Sequence, residues 1–367
     1  MEEHDIPAMA ALTLRGDRIV DVAAAGVRVR GEDERVTLED FWHLGSCTKA
    51  MTATAAARLV ERGVLSWDST ISQVLPEVEM HNGWRDVTLE QLLTNRGGMP
   101  KPSPPEAWKR AWARGGTQAE QIRGYVEDVL LLEPIRPVGE YEYSNSGFTV
   151  AGHMCAVAAG KSYEQLMEDE LFVPLGMTTA GHGAPRSRGQ DHPNGHGKDG
   201  TPSRPMADNP AAVTPAGRLH CTIQDWSRFV AAHLKGVQGR HDLLATDTFK
   251  RLQAPAPGEA AHRCIPAHGG WSAAGDRRAS VRSTILRFGR HRGYRNARRR
   301  HRRHPSNAAA HAPPTHSVVS GRPEQVPHPR TRRSQEDAPC SFRKTPLPLC
   351  QLPTSPRFLH QLRATST

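Results

Sequence analysis

No run of 18 apolar residues occurs anywhere in the 367-residue chain, which argues against a helix that spans a membrane. Cysteine is sparse. Cys47, Cys155, Cys221, Cys264, Cys340 and Cys350 stand singly, with no C-x-x-C pair and no zinc-like spacing. Such scatter fits small core residues in a reducing compartment rather than a disulfide framework. The opening residues, MEEHDIPAMAALTLRGDRIV, start acidic and contain no continuous apolar segment. No secretory signal is therefore expected, and the cytoplasm is the expected location. The length still allows one large domain or two ordinary ones.

Charge divides the chain in two. Residues 261–367 carry 21 Lys+Arg against 4 Asp+Glu, a net of +17. The first 260 residues hold the remaining 27 basic and 34 acidic side chains, a net of −7. The overall +10 thus describes neither part, and it says nothing about partners of the N-terminal part. The expected organisation is a domain over 1–260, with a helical lobe at about 64–215, and a disordered basic tail over 261–367.

Local patterns give the N-terminal part a mixed α/β (α+β) character. Residues 9–14 and 18–24 are apolar-rich runs around Gly16-Asp17, the pattern of a β-hairpin. A third strand is expected at 26–30. Residues 46–62 are rich in Ala, Met and Leu, lack Gly and Pro, and are closed by Gly63, so a helix is expected there. Further helices are expected at 86–93, where a Thr precedes Leu-Glu-Gln, and at 117–132, 147–159, 163–170 and 224–234. Residues 180–210 form a Gly/Pro/His-rich loop.

The chemistry rests on two short motifs. In GSCTKA, Ser46 and Lys49 lie three positions apart, so both side chains leave one helix face a turn apart. A serine hydroxyl needs a base before it attacks, and an amine in a desolvated pocket can be neutral enough to act. The helix start adds N–H groups and a dipole that favour a developing oxyanion. The bland alternative is an N-cap serine beside a solvated lysine. The second motif is Tyr143-Ser144-Asn145. Its phenol, placed beside Ser46 and a charged Lys49, would favour the ionised form and relay protons. Its amide could hold the lysine or a substrate carbonyl.

GSCTKA followed by YSN resembles the class C branch of the serine β-lactamase and penicillin-binding-protein superfamily. Similar stretches are LVERGVLSWDSTISQVLPE, LEQLLTNRGGM, PVGEYEYSNSGFTVAG, LFVPLGM and PAGRLHCTIQDWSRF, and together they cover roughly residues 5–255. One departure is Asn95-Arg96, where relatives usually carry His-Thr, a change expected to alter local packing rather than chemistry. The resemblance implies an antiparallel sheet flanked by helices, with a mostly helical second lobe. It implies Ser46 as nucleophile, Lys49 as its partner and Tyr143 as general base or proton relay. Asn145 would contact substrate and lysine, and the Ser46 N–H would be one oxyanion donor. No cofactor or metal is implied; the partner would be a small-molecule acyl substrate, an ester, peptide or lactam.

The resemblance also implies a Lys-Thr-Gly or His-x-Gly element on a C-terminal strand. The candidate is His268-Gly269-Gly270, a substrate-binding position by that match. Beyond Ile285-Leu286 hardly any candidate strand follows, so the hairpin is expected to lack sheet partners and the activity to be weak. A shift of reading frame near residue 260 would produce this Arg-, Pro-, Ala- and His-rich composition. The run RRRHRR at 298–303 offers phosphate contacts, yet aromatic residues to stack on bases are few, and no specific nucleic-acid partner is expected. His182, His192 and His196 suggest a metal, but they sit in a Gly/Pro loop with only Asp191 and Asp199 near. Solvated or substrate-lining roles are expected for them instead. A relative that binds acyl or peptide ligands without hydrolysing them is the remaining alternative.

Overall fold

The computed structural model describes residues 6–101, 103–185, 192–197, 199–204 and 206–255, together with the backbone of 282–287. The chain divides into two units, Met1–Asn296 and Ala297–Thr367, and every described residue belongs to the first. Within the tail expected to be disordered, 282–287 form a strand, which corrects that expectation there; the rest of 261–367, His268 included, lies outside the described residues.

The hairpin forms where the two apolar-rich runs and their turn pair place it. Strands β1 (Ala8–Arg15) and β2 (Arg18–Gly26) pair antiparallel, with a bulge between Thr13 and Leu14. Gly16 makes the turn at φ +68°, a conformation that costs a residue without Cβ little. Ala8, Ala10, Leu12 and Leu14 face the core, while β2 stays largely exposed. The strand expected at 26–30 is reduced to a single bridge between Val27 and Arg35. After it come β3 (Trp42–His43), a 3₁₀ turn at Gly45–Cys47 and helix α1 (Thr48–Glu61).

Helices then follow in series: α2 (Ile71–Val74), α3 (Leu89–Leu93), α4 (Pro105–Ala113) and α5 (Gln118–Leu130). Thr70, Thr88 and Thr117 open α2, α3 and α5 with reciprocal capping boxes to Gln73, Gln91 and Glu120. Each box satisfies two orphan donors of the first turn, which is why these short helices start where they do. Next are α6 (Asn145–Ala159), α7 (Tyr163–Met167), a π turn at Glu168–Phe172 and α8 (Val173–Leu175). The stretch 180–210, expected to be one long loop, contains β4 (Gly181–His182), and a 3₁₀ turn, Ala211–Val213, follows it. It leads into α9 (Thr214–Gly217), β5 (Leu219–Cys221), α10 (Ile223–Gly236) and α11 (Thr246–Gln253).

Among the described residues two small antiparallel sheets result. In one, β5 lies between β3 and β4. In the other, β1 lies between β2 and a strand β6 (Arg282–Arg287), which runs from Met9 opposite Arg287 to Leu14 opposite Arg282. This corrects the expectation that the hairpin lacks a sheet partner. The reason is physical: β1 offers a free row of backbone groups, and a six-residue segment can pair with it through its backbone whatever its composition.

Helix α1 lies buried in the first unit. Ala50, Ala53, Ala55, Ala56 and Ala57 are all buried, so the helix is covered nearly all round. These small side chains let α6 and α9 pack closely against it. At its far end, buried Glu170 pairs with Arg58 at 2.9 Å and also with Arg62, which ties α1 to the π turn. Among the described residues no helix is long and apolar enough to cross a membrane.

Candidate active site

Ser46 sits in the 3₁₀ turn that leads into α1. Gly45 adopts φ +52°, and a Cβ there would be strained. The turn is held from both sides: Leu44 N–H donates to Leu219 O at 2.8 Å, and Gly45 N–H donates to His43 Nδ1 at 3.0 Å. That bond makes Nδ1 the acceptor, so Nε2 carries the proton shared with Asp208 Oδ1 at 2.8 Å. Arg218 Nε lies 3.0 Å from the other Asp208 oxygen, and its neighbour Leu219 receives the turn. Sequence reasoning did not find this His43–Asp208–Arg218 chain, because its members lie in three separate segments.

The three expected catalytic residues come together. Ser46 Oγ and Tyr143 OH share a hydrogen bond of 2.7 Å across 97 residues of sequence. Lys49 Nζ donates to Ser46 Oγ at 3.3 Å, to Asn145 Oδ1 at 2.7 Å and to Ala216 O at 2.6 Å. It also lies 4.8 Å from the centre of the Tyr143 ring and 5.5 Å from that of Phe148. Asn145 thus accepts a hydrogen bond from the lysine. The Ala216 carbonyl was not foreseen, although the segment PAGRL that carries it was among the family-like stretches.

The bland reading of GSCTKA does not survive. Neither Leu44 nor Cys47, the residues in N-cap position, makes a side-chain cap, and Lys49 is fully buried while Ser46 is exposed. Burial pulls the Lys49 amine down from 10.5 to about 7. Desolvation disfavours the charged form, and an amine near 7 is half neutral at neutral pH. Burial likewise pushes the Tyr143 phenol above its ordinary value, against the opposing effect of its bond to Ser46. This reverses the expectation of an ionised phenol: desolvation outweighs the hydrogen bond to Ser46.

A cleft of about 460 Å³ is lined by Lys101, Tyr141, Glu142 and Tyr143. It places the phenol at the wall of a space large enough for a small molecule.

The loop histidines do other work. His192 is buried, stacks on Phe41 at 4.4 Å and accepts from the Phe41 N–H, so it is a packing residue rather than a solvated one. His196 accepts from the Arg30 N–H, and His182 packs against Tyr163 and Phe172. Among the described residues no group of three or more His, Cys, Asp or Glu side chains could hold a metal ion.

Comparison with known proteins gives the same direction as the geometry. Penicillin-binding protein 4 of Amycolatopsis lactamdurans is 29% identical over 238 residues, which cover 63% of this chain and 60% of that protein. The D-alanyl-D-alanine-carboxypeptidase/endopeptidase AmpH of Escherichia coli K12 is 29% identical over 172 residues, 46% of this chain and 43% of that one. The chain thus spans about half the length of these relatives. Among solved structures, the D-alanine carboxypeptidase AmpC of Burkholderia cenocepacia superposes with a TM-score of 0.55 at 28% identity, covering 69% of this chain and 66% of that chain. The octameric penicillin-binding protein homologue of Pyrococcus abyssi matches in fold, with a TM-score of 0.57 at 21% identity over 71% of this chain and 59% of its own. The model of the Beta-lactamase family matches residues 1–301, and the chain belongs to that family.

Proposed function

We propose that the chain is a serine acyl hydrolase that moves the acyl group of an ester, amide or lactam onto Ser46 and then to water. The observation that supports this reading most is one contact set. An exposed hydroxyl lies 2.7 Å from a neutral phenol and 3.3 Å from an amine that burial holds at about 7. In this reading the neutral Lys49 takes the Ser46 proton, directly or through the Tyr143 hydroxyl, as Oγ attacks the acyl carbon. The Ser46 N–H, at the start of α1, donates to the oxyanion. The phenol then passes the proton to the leaving group, and the same pair activates water against the acyl-enzyme. Asn145 and the Ala216 carbonyl keep the amine aimed at Oγ while it changes charge.

The relatives' names, penicillin-binding protein, carboxypeptidase/endopeptidase and β-lactamase, favour D-alanyl peptides and β-lactams as acyl donors. Simple esters fit the same chemistry. The test is intact-protein mass spectrometry of the full chain after incubation with benzylpenicillin or a p-nitrophenyl ester. A single acyl mass on Ser46, absent from Ser46→Ala, is expected. Reversible binding with no adduct would favour a receptor instead, and absence of both would end the acyl-transfer reading.

A further inference from the structure

Asn95-Arg96, the departure from the His-Thr of relatives, lies at the end of α3 and against the segment that carries Tyr143. Asn95 has φ +59°, one of two described non-glycine residues in the left-handed region. Its N–H donates to Leu92 O at 3.1 Å and the Arg96 N–H to Gln91 O at 2.7 Å, the paired bonds of a Schellman stop. Asparagine tolerates this backbone better than most side chains. Stopping a helix does not, however, need its amide group.

That amide is used elsewhere. Asn95 is buried, and its Oδ1 accepts from the Ser144 N–H at 2.9 Å, while its backbone O accepts from the Glu142 N–H at 2.8 Å. Residue 143 is therefore bracketed on both sides by one residue. Arg96 extends the grip: its O accepts from the Gly139 N–H at 2.8 Å, and its Nη1 donates to Gly139 O at 2.9 Å. Ser144, once fixed, caps α6 through Gly147 N–H and donates to Pro100 O. So Asn95 sets both the phenol and the first residue of α6, Asn145.

We propose that Asn95 is a positioning residue for acyl transfer, whose side-chain carbonyl locks the Tyr143–Ser144 peptide and so aims Tyr143 at Ser46 and Asn145 at Lys49. This rests on the acyl-transfer reading above. A displacement of about 1 Å between reacting groups costs on the order of a hundredfold in rate, so the lock acts on rate rather than on substrate affinity. Gly at this position would keep the left-handed turn without the acceptor; Asp would keep both.

The experiment compares the unaltered full chain with Asn95→Gly and Asn95→Asp in three readouts. These are hydrogen exchange of the 139–147 segment, the rate constant and half-saturation for Ser46 acylation by a p-nitrophenyl ester, and the thermal midpoint. In Asn95→Gly, exchange at 139–147 should speed at least tenfold while α1 and α10 are unchanged. Acylation should slow by roughly ten- to a hundredfold with half-saturation nearly constant. Asn95→Asp should recover both to within about threefold, since a carboxylate oxygen also accepts from an N–H. Unchanged exchange, a full acylation rate on a loosened segment, or an Asp variant no better than Gly would each overturn the proposal. Should Asn95→Gly fail to fold, the unaltered chain decides: fast exchange at 139–144, unlike slow α6, overturns the lock. A chain that acylates with no ester or penicillin refutes the acyl-transfer reading, while the exchange pattern still judges the lock separately.

Discussion

The buried amine at position 49 gives the sharpest quantitative test. With Lys49 at about 7, its neutral fraction rises from about one-tenth at pH 6 to about nine-tenths at pH 8, then hardly changes. Acylation of Ser46 should therefore speed about tenfold between pH 6 and 8 and level off above it. A lysine at its ordinary value would give about a hundredfold over the same interval and keep climbing past pH 9. The raised Tyr143 phenol stays protonated throughout and adds no competing limb below pH 9.

The same group links stability to pH. Folded Lys49 binds its proton only below about 7, and unfolded lysine binds it below about 10.4. Between those values the unfolded chain holds more protons, so stability rises with pH. The gap, at 1.36 kcal/mol per pH unit, is about 5 kcal/mol as an upper bound. Lys49→Met removes this slope. Denaturant melts of both proteins at pH 7 and pH 10 should show the unaltered chain gaining several kcal/mol on the variant. A rate profile that climbs log-linearly beyond pH 9, or a stability difference indifferent to pH, would refute the argument.

Tyr143→Phe deletes the hydroxyl 2.7 Å from Ser46 Oγ. Acylation should fall about 10²- to 10⁴-fold with the fold intact, as stopped-flow ester hydrolysis beside a thermal melt would show. Gly152→Ala would put a Cβ 2.5 Å from Pro215 Cβ, forcing α9 and its Ala216 carbonyl away from Lys49. Expected are a loss of about 1–3 kcal/mol in denaturant melts and a slower acylation; a neutral result would mean that α9 can move freely. Resequencing the gene around codon 260 should reveal an alternative frame that encodes strands and a final helix. Finding neither would dispose of the frame-shift account of the tail. The +17 tail should bind nucleic acid without regard to sequence and release it as salt rises, and filter binding at two salt concentrations measures this.

Much of the fold was legible because the relevant physics is local. The apolar-rich run at 9–14 marks a strand, Gly16-Asp17 marks its turn, and the Thr before Leu-Glu-Gln marks a helix start. The strand expected at 26–30 failed because strand-like residues do not supply a partner, and only the Val27–Arg35 bridge exists. The partner of β1 was missed for the complementary reason. Residues 282–287 pair by backbone hydrogen bonds, and Ile285-Leu286 alone gave too short an apolar signal to say which strand they would join. In the site, the resemblance pointed to the described side chains Ser46, Lys49, Tyr143 and Asn145, but not to a carbonyl at Ala216 or to the left-handed Asn95, since neither role depends on side-chain chemistry alone.

The sequence by itself determined that a hydroxyl and an amine stand three residues apart where the chain enters a helix, and that a phenol and an amide flank the start of another helix. Spacing on a helix is a property of the backbone, and it travels with the chain. Whether the amine is charged was decided only by tertiary structure. Desolvation belongs to the surroundings: α1, α6 and α9 close over Lys49, exclude water and leave an amine that can take a proton from Ser46.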